Sequence, residues 1–411
     1  MAAPTSPRPL ALFGGVPVRT TPLPGWPHFD QDEIDAVDTV LRSGRVNYWT
    51  GTEAREFERE FAEFTGRKHA VAVANGTVAL ELALVALGVG TGDEVVVASR
   101  TFIATASAVV MRGGIPVCAD VDRTSGCVTA DSIREVLTER TRAVIVVHLG
   151  GWVADMDPIV DLAREHGLYV IEDVAQALGG RYKGRPAGSA GHMAAFSFCQ
   201  DKIMTTAGEG GMLVCDDDDL WSRAWSFKDH GKSWDAVYAE PRATGIGFRW
   251  LHESFGTNWR MTEVQAAIGR VALRKVPAWV ERRRANAARL DETLGAFESI
   301  RLAVPPPDVY HAYYKYYAYV VPGHLKKGWD RTRIAEAIVA EGVPCQTGSC
   351  PEIYLERAFT ASGLSPARPL AVAHELGETS LVLLVHPTLR DNDVLDVCTA
   401  AHKVLSEASL R

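Results

Sequence analysis

From His69 to Cys215 this chain alternates short apolar runs with helix-like stretches. The runs Ala70–Ala74, Glu94–Ala98, Pro116–Ala119, Ala143–Val147, Tyr169–Ile171, Ala194–Phe198 and Met212–Cys215 are predicted strands. Intervening helices make crossover connections, which set strands parallel and cover both faces of the sheet. The unbroken hydrophobicity of Glu94-Val-Val-Val-Ala and Ala143-Val-Ile-Val-Val fits strands buried on both sides. The expected class is α/β with a mostly parallel sheet, and a ligand belongs at the C-terminal ends of its strands.

Helix signals surround this region. Asp30 followed by Glu33 has capping-box character and opens a helix to about Arg42, which stops at Ser43-Gly44. Phe57, Phe61 and Phe64, between Glu53 and Thr65, form one apolar stripe that faces a core. Beyond Val264 the texture changes. A helical run from Thr262 to Ala272 precedes a separate charged, alanine-rich helix from Trp279 to Leu294, which reads as a connector. A tyrosine-rich strand at Tyr313–Val321, a helix at Thr332–Glu341, a Gly342-Val-Pro turn and a closing helix at Asn392–Glu407 make a small α+β domain. At 411 residues the chain suits a large domain, 1–275, with a smaller one, 276–411.

Composition excludes several classes. A net charge of −8, from 43 basic and 51 acidic side chains with no long basic run, argues against nucleic acid or an anionic membrane as partner. No stretch approaches the roughly eighteen apolar residues of a membrane span, because the richest, Ala79–Val89, contains Glu81. The proline-broken start, with only Leu10–Phe13 apolar, is far short of a signal peptide's hydrophobic region. Cys118, Cys127, Cys199, Cys215, Cys345, Cys350 and Cys398 are scattered without zinc spacing and read as reduced, buried thiols. The expectation is a soluble cytoplasmic enzyme without a metal, acting on a small molecule.

The chemistry-bearing residues sit where strands end. Lys202 lies between Phe196-Ser-Phe and Gly208-Glu-Gly-Gly, and Asp173 and Gln176 close the run that begins at Tyr169. A lysine attacks a carbonyl only when burial or nearby cations disfavour its ammonium form, and a lone lysine is more often a solvated surface charge. Lysine, carboxylate and glycine-bounded serine together suggest pyridoxal phosphate. Asp173 can pair with the pyridine nitrogen and make the ring an electron sink, or can simply cap a loop. Gln176 can donate to the phenolic oxygen or lie on a helix surface. Asn75-Gly76-Thr77 spans a strand end and a helix start, which suits a phosphate and equally suits an ordinary helix start. Phe102 can cover the pyridine ring or pack in the core, and Ser197 can add a hydroxyl to the phosphate. His148 with Asp155 and Asp157 fits no standard metal-ligand spacing, so a loop with capping aspartates is the better reading.

Asn75-Gly-Thr-x-Ala-Leu, Thr101-Phe-x-Ala-Thr, Glu172-Asp-x-Ala-Gln, Phe196-Ser-Phe-x-x-x-Lys with Gly-Glu-Gly-Gly, and Asn258-Trp-Arg-Met occur in that order. Together they resemble the DegT/DnrJ/EryC1/StrS family of sugar aminotransferases along essentially the full length. The resemblance implies a fold-type I pyridoxal-phosphate enzyme with a large α/β/α domain and a small C-terminal α+β domain. It also implies a homodimer with active sites at the interface. It makes Lys202 the Schiff-base lysine, Asp173 the partner of the pyridine nitrogen and Gln176 the neighbour of the phenolic oxygen. Gly76, Thr77 and Ser197 become the phosphate cradle, Phe102 the stacking aromatic, and Asn258 a phosphate contact from the other subunit.

Some relatives carry histidine in place of the lysine and dehydrate their sugars, so Lys202 points to transamination. The implied reaction moves an amino group from glutamate or glutamine to a keto sugar, nucleotide-linked, in deoxyaminosugar, glycan or natural-product biosynthesis. The alternative acceptor is a free keto-cyclitol, and the alternative class is a non-catalytic cofactor-binding regulator. Two positions depart from the family pattern. His148-Leu-Gly-Gly-Trp stands for His-Leu-Tyr-Gly, and Leu178 follows where histidine is frequent. Both are expected at the border of the substrate pocket.

Overall fold

The computed structural model describes residues 9–238 and 251–410; the proline-rich start, 1–8, lies outside them. Five strands come first: β1 (His69–Val73), β2 (Glu94–Ala98), β3 (Ile115–Ala119), β4 (Thr141–Val147) and β5 (Tyr169–Asp173). A short hairpin of β6 (Arg181–Tyr182) and β7 (Arg185–Pro186) precedes β8 (Met193–Ser197) and β9 (Gly211–Cys215). The main sheet has the order β1-β9-β8-β5-β4-β2-β3. Neighbours from β3 to β8 are parallel, and β9 is antiparallel to both β8 and β1. The seven predicted strands are therefore the seven strands of this sheet, with ends shifted by at most two residues.

Side chains explain the double cover. Along β2, Val96 and Ala98 enter one apolar cluster while Val95 and Val97 enter the other. Alternate residues of a strand point to opposite faces, so both faces are dry. Phe57 and Phe61, from the helix Glu53–Thr65, lie in the first cluster, as the aromatic stripe predicts. Leu80, Leu84 and Trp225 lie in the second. The capping box at Asp30 is present, and the helix it opens, Gln31–Ser43, ends at left-handed Gly44.

The two expected helices beyond Thr262 are one. Glu263–Leu294 is continuous, capped by Thr262 through Gln265, with Pro277 inside it. An interior proline costs a helix about 3 kcal/mol and one hydrogen bond. Here Leu273, Val276 and Val280 are buried around it, so tertiary packing holds the helix through the break. The expected domain boundary at 275/276 falls within this helix.

Strand β10 (Ile300–Leu302) follows, then β11 (Val309–Tyr310), which pairs with β6. With β12 (Tyr316–Val320), β13 (Cys345–Gln346) and β14 (Ser380–Leu383), β10 makes a four-stranded antiparallel sheet, β10-β12-β14-β13. The helices Arg331–Ala340 and Asp391–Ala408 pack against it. The tyrosine strand starts at Tyr316 rather than Tyr313 because the preceding backbone bonds elsewhere. Ala312 N donates to Gly151 O at 2.8 Å and Lys315 N to Gly150 O at 3.2 Å. That crossing lays the tyrosine segment over the C-terminal edge of the main sheet. Among the described residues no helix is long and apolar enough to cross a membrane.

Candidate active site

Strands β1, β2, β5 and β8 all end at one edge, and the loops that leave them enclose a cavity of about 790 Å³. Its wall includes Gly76 and Thr77 after β1, Phe102 after β2, Asp173 and Gln176 after β5, and Ser197 and Lys202 after β8. Seven of the eight site residues expected from sequence are thus brought together. Asn258 does not line this cavity. It is exposed, on a segment where it pairs with Asp229 while Arg260 bridges to Val73.

Each side chain is held by local chemistry. Asn75 caps the helix Gly76–Ala86 by accepting from Val78 N at 3.0 Å, and the first amides of a helix have no intrahelical acceptor. Gly76 lies so close to β8 that a Cβ there would stand 2.6 Å from Ser197 Cβ. Helix start and serine therefore form one tight concavity. Phe102 is 65% exposed at the cavity wall, which removes the core alternative for it.

Asp173 is buried, with Oδ2 accepting from Thr105 Oγ1 at 3.0 Å and Oδ1 from Ala175 N at 3.1 Å. Burial pushes its carboxyl above the ordinary value, opposed by those two donors and by the charge of Lys202. Gln176 Oε1 accepts from Gly150 N at 2.8 Å, and Nε2 donates to Ser349 Oγ at 3.3 Å. Lys202 Nζ stands 4.9 Å from the centroid of the Tyr314 ring, and its carbonyl accepts from the Trp26 indole at 2.7 Å. The Tyr314 hydroxyl donates to Asp201.

Several expectations change at this level. In the His148 loop, Asp155 stands at the N-cap of the next helix, Met156–His166, without a side-chain cap bond. His148 is tied inward: Nδ1 accepts from Ala154 N at 3.1 Å, which leaves Nε2 to donate to the buried Glu172 carboxylate at 2.9 Å. Asp155 takes the Tyr182 hydroxyl, and Asp157 pairs with Lys183 and Arg185. Gly150 does approach the pocket, since a Cβ there would meet the Tyr317 ring at 2.8 Å and Tyr317 is part of the wall. Leu178 does not, because it lines a separate groove beside Val276 and Val280. All seven cysteines are free, but Cys199, Cys345 and Cys350 are only partly buried, and Cys199 lies on the cavity wall.

The sequence reading missed the upper wall. Tyr314, Lys315, Tyr317, Gln346 and Ser349 come from the C-terminal part of the chain. The only signal for any of them is one lysine interrupting a run of tyrosines.

The fold and this constellation match known proteins. The DegT/DnrJ/EryC1/StrS aminotransferase family model matches residues 27–402. The chain belongs to that family. It is 38% identical to an L-glutamine:2-deoxy-scyllo-inosose aminotransferase of Streptomyces fradiae, over 97% of each chain. It is 43% identical to the GDP-perosamine synthase of Caulobacter vibrioides, over 61% of this chain and 64% of that one. An aminotransferase structure from Psychrobacter cryohalolentis superposes with a TM-score of 0.91 at 52% identity, covering 92% of this chain and 98% of that one. The Streptococcus pneumoniae protein Spr1654, solved in a PLP form, gives 0.83 at 25% identity, covering 95% and 99%. This family member is an aminotransferase with a mostly parallel α/β core of the fold-type I kind.

Proposed function

We propose that the chain binds pyridoxal phosphate and transfers an amino group from glutamate or glutamine to the ketone of a nucleotide-linked sugar. The observation that carries this is the convergence of Lys202, Asp173, Gln176, Phe102, Gly76, Thr77 and Ser197 on one cavity. The residues fit the cofactor chemically. A buried carboxylate faces the same space as a lysine, and a helix start pressed against a serine offers amides and a hydroxyl to a phosphate. When bound, pyridoxal phosphate supplies an electron sink for the carbanion left at the substrate carbon.

The chain's own residues do the rest. Gly76, Thr77 and Ser197 would hold the phosphate, and Phe102 would cover one face of the ring. Asp173, fixed by Thr105 and the Ala175 amide, would hold a proton at the ring nitrogen. Gln176 would face the phenolic oxygen. Lys202 would carry the cofactor and, once released, move a proton at the substrate carbon as general base and acid. Asn258, exposed and absent from its own cavity, would complete the phosphate site of a second subunit in a homodimer.

Kinship with the inosose aminotransferase favours a second acceptor, a free keto-cyclitol. Assaying nucleotide-linked keto sugars and keto-cyclitols separately, each with glutamate and glutamine, distinguishes the two. Purified protein should be yellow and lose that band on addition of donor. Lys202→Ala should lack the band and the turnover. A Lys202→Ala protein that still transaminates, or a wild type that aminates neither ketone, overturns the reading.

A further inference from the structure

Lys315 enters the cavity wall from the tyrosine segment in the C-terminal part of the chain. Both it and Lys202 point at one aromatic ring, with Nζ atoms 5.0 and 4.9 Å from the Tyr314 centroid. They are the only cationic side chains in the cavity wall among the described residues. The carboxylate beside Lys315 is Asp201, and it is already engaged by the Tyr314 hydroxyl. Asp201 lies 3.7 Å from Lys315 Nζ, beyond hydrogen-bond range. Behind Tyr314 sits Arg283, buried, its guanidinium hydrogen-bonded among the described residues only to the carbonyls of Tyr313 and Tyr314.

Lys315 therefore has Asp201 as its one close carboxylate, with Lys202 and Arg283 as neighbouring cations, while Lys202 also acts on Asp173. Burial, and then the charges of Arg283 and Lys202, lower the Lys315 ammonium's pKa against the pull of Asp201. An ammonium in that setting gains from an incoming anion. Lys202 is committed to the cofactor in the reading above, so Lys315 is the cation left for substrate. An amino-acid donor must bring its α-carboxylate into this space beside the carbon that Lys202 serves, and a carboxylate leaving water needs an opposite charge.

We propose that Lys315 is the recognition residue for the α-carboxylate of the amino donor. This rests on the aminotransferase reading. The lysine reaches the site because its backbone amide is tied to Gly150 O, whose residue also donates to Gln176. Donor recognition is thus built on the same turn that positions Gln176. The other anion of this chemistry is the diphosphate of a nucleotide-linked sugar, and the test separates the two.

The test follows loss of the cofactor band in holoenzyme mixed with glutamine, glutamate or 4-aminobutanamide, which is glutamine without its α-carboxylate. In Lys315→Gln the glutamine and glutamate concentrations for half-maximal loss should rise about tenfold to a hundredfold, the worth of one charge-assisted contact. The value for 4-aminobutanamide should stay put, and Lys315→Arg should recover most of the difference. Calorimetry with 2-oxoglutarate, an unreactive carboxylate for the pyridoxal form, should show the same weakening. Unchanged donor values, equal weakening with 4-aminobutanamide, or a shift only in the KM of a nucleotide-linked ketone would each overturn the assignment. So would a wild type that binds no 2-oxoglutarate. Carboxylate binding that depends on Lys315 in a protein that aminates no ketone would leave the subsite standing and remove the acceptor reading. Amination indifferent to Lys315 would do the reverse.

Discussion

At Asp173 the proposed role and stability pull in opposite directions. Burial raises its carboxyl above the ordinary value, so in the cofactor-free protein the charged form is disfavoured. A raised folded pKa means that the group favours the folded state fully at low pH and loses that contribution as pH rises through the folded value. Above the ordinary carboxyl range, burying this group therefore costs stability, offset by hydrogen bonds from Thr105 and the Ala175 amide and by the charge of Lys202. Asp173→Asn should raise the Tm of cofactor-free protein at pH 7. The gain over wild type should shrink as pH falls toward about 4, where an ordinary carboxyl is protonated. The same variant should not aminate any ketone. Thermal melts across that range decide it, and a lower Tm for the variant at pH 7 would show that the carboxylate is compensated. The sequence pointed to Asp173 because it ends a buried run; it gave no sign of Thr105, whose contact depends on how β2 and β5 are spaced by β4.

Strands were legible and the longest helix was not, for one reason. A strand buried on both faces writes its burial into consecutive residues, as in Glu94–Ala98, whereas the helix Glu263–Leu294 carries Pro277, which local propensity reads as an end. Its continuity comes from packing that only the assembled core supplies. The upper wall of the site was hidden likewise: Lys315 is placed by a bond to Gly150, far away in sequence. In the proposed site, the element that would most directly limit cofactor binding is the helix Gly76–Ala86. Its first residue would, with a Cβ, stand 2.6 Å from Ser197 Cβ and 3.1 Å from Ser197 Cα, and Gly211 is as tightly placed against Asn75. Wedged between β8 and β9, this helix start cannot retreat without moving backbone. Gly76→Ala should cost cofactor affinity about 1–3 kcal/mol, typical of overpacking at a tight site, or roughly ten- to a hundredfold in Kd. Titrating cofactor-free protein with pyridoxal phosphate and reading the absorbance band checks this. An unchanged Kd would mean that the helix shifts freely.

For the whole molecule the open matter is Asn258. It is exposed and absent from the lining of its own cavity, yet its segment is anchored. Arg260 bridges to Val73 and pairs with buried Asp229 at 2.7 Å, while Lys232 approaches the same carboxylate at 3.1 Å. Three residues before Asn258, Phe255 is 100% exposed. An anchored strap that presents a polar side chain and a bare aromatic suits a surface made for a second copy, in which each chain would complete the other's site. Mixing inactive variants tests this without a structure of the assembly. Lys202→Ala lacks its own lysine but still offers Asn258; Asn258→Ala has the lysine but nothing to offer its neighbour. In a mixed dimer one site is whole and the other lacks both residues. If subunits exchange at random in an equal mixture, half the dimers are mixed, so activity should recover to about a quarter of wild type under C2 pairing. Recovery must track exchange, appearing only after the subunits are allowed to dissociate and reassociate. A mixture that stays as inactive as its less impaired parent after exchange would place Asn258 outside the partner's site.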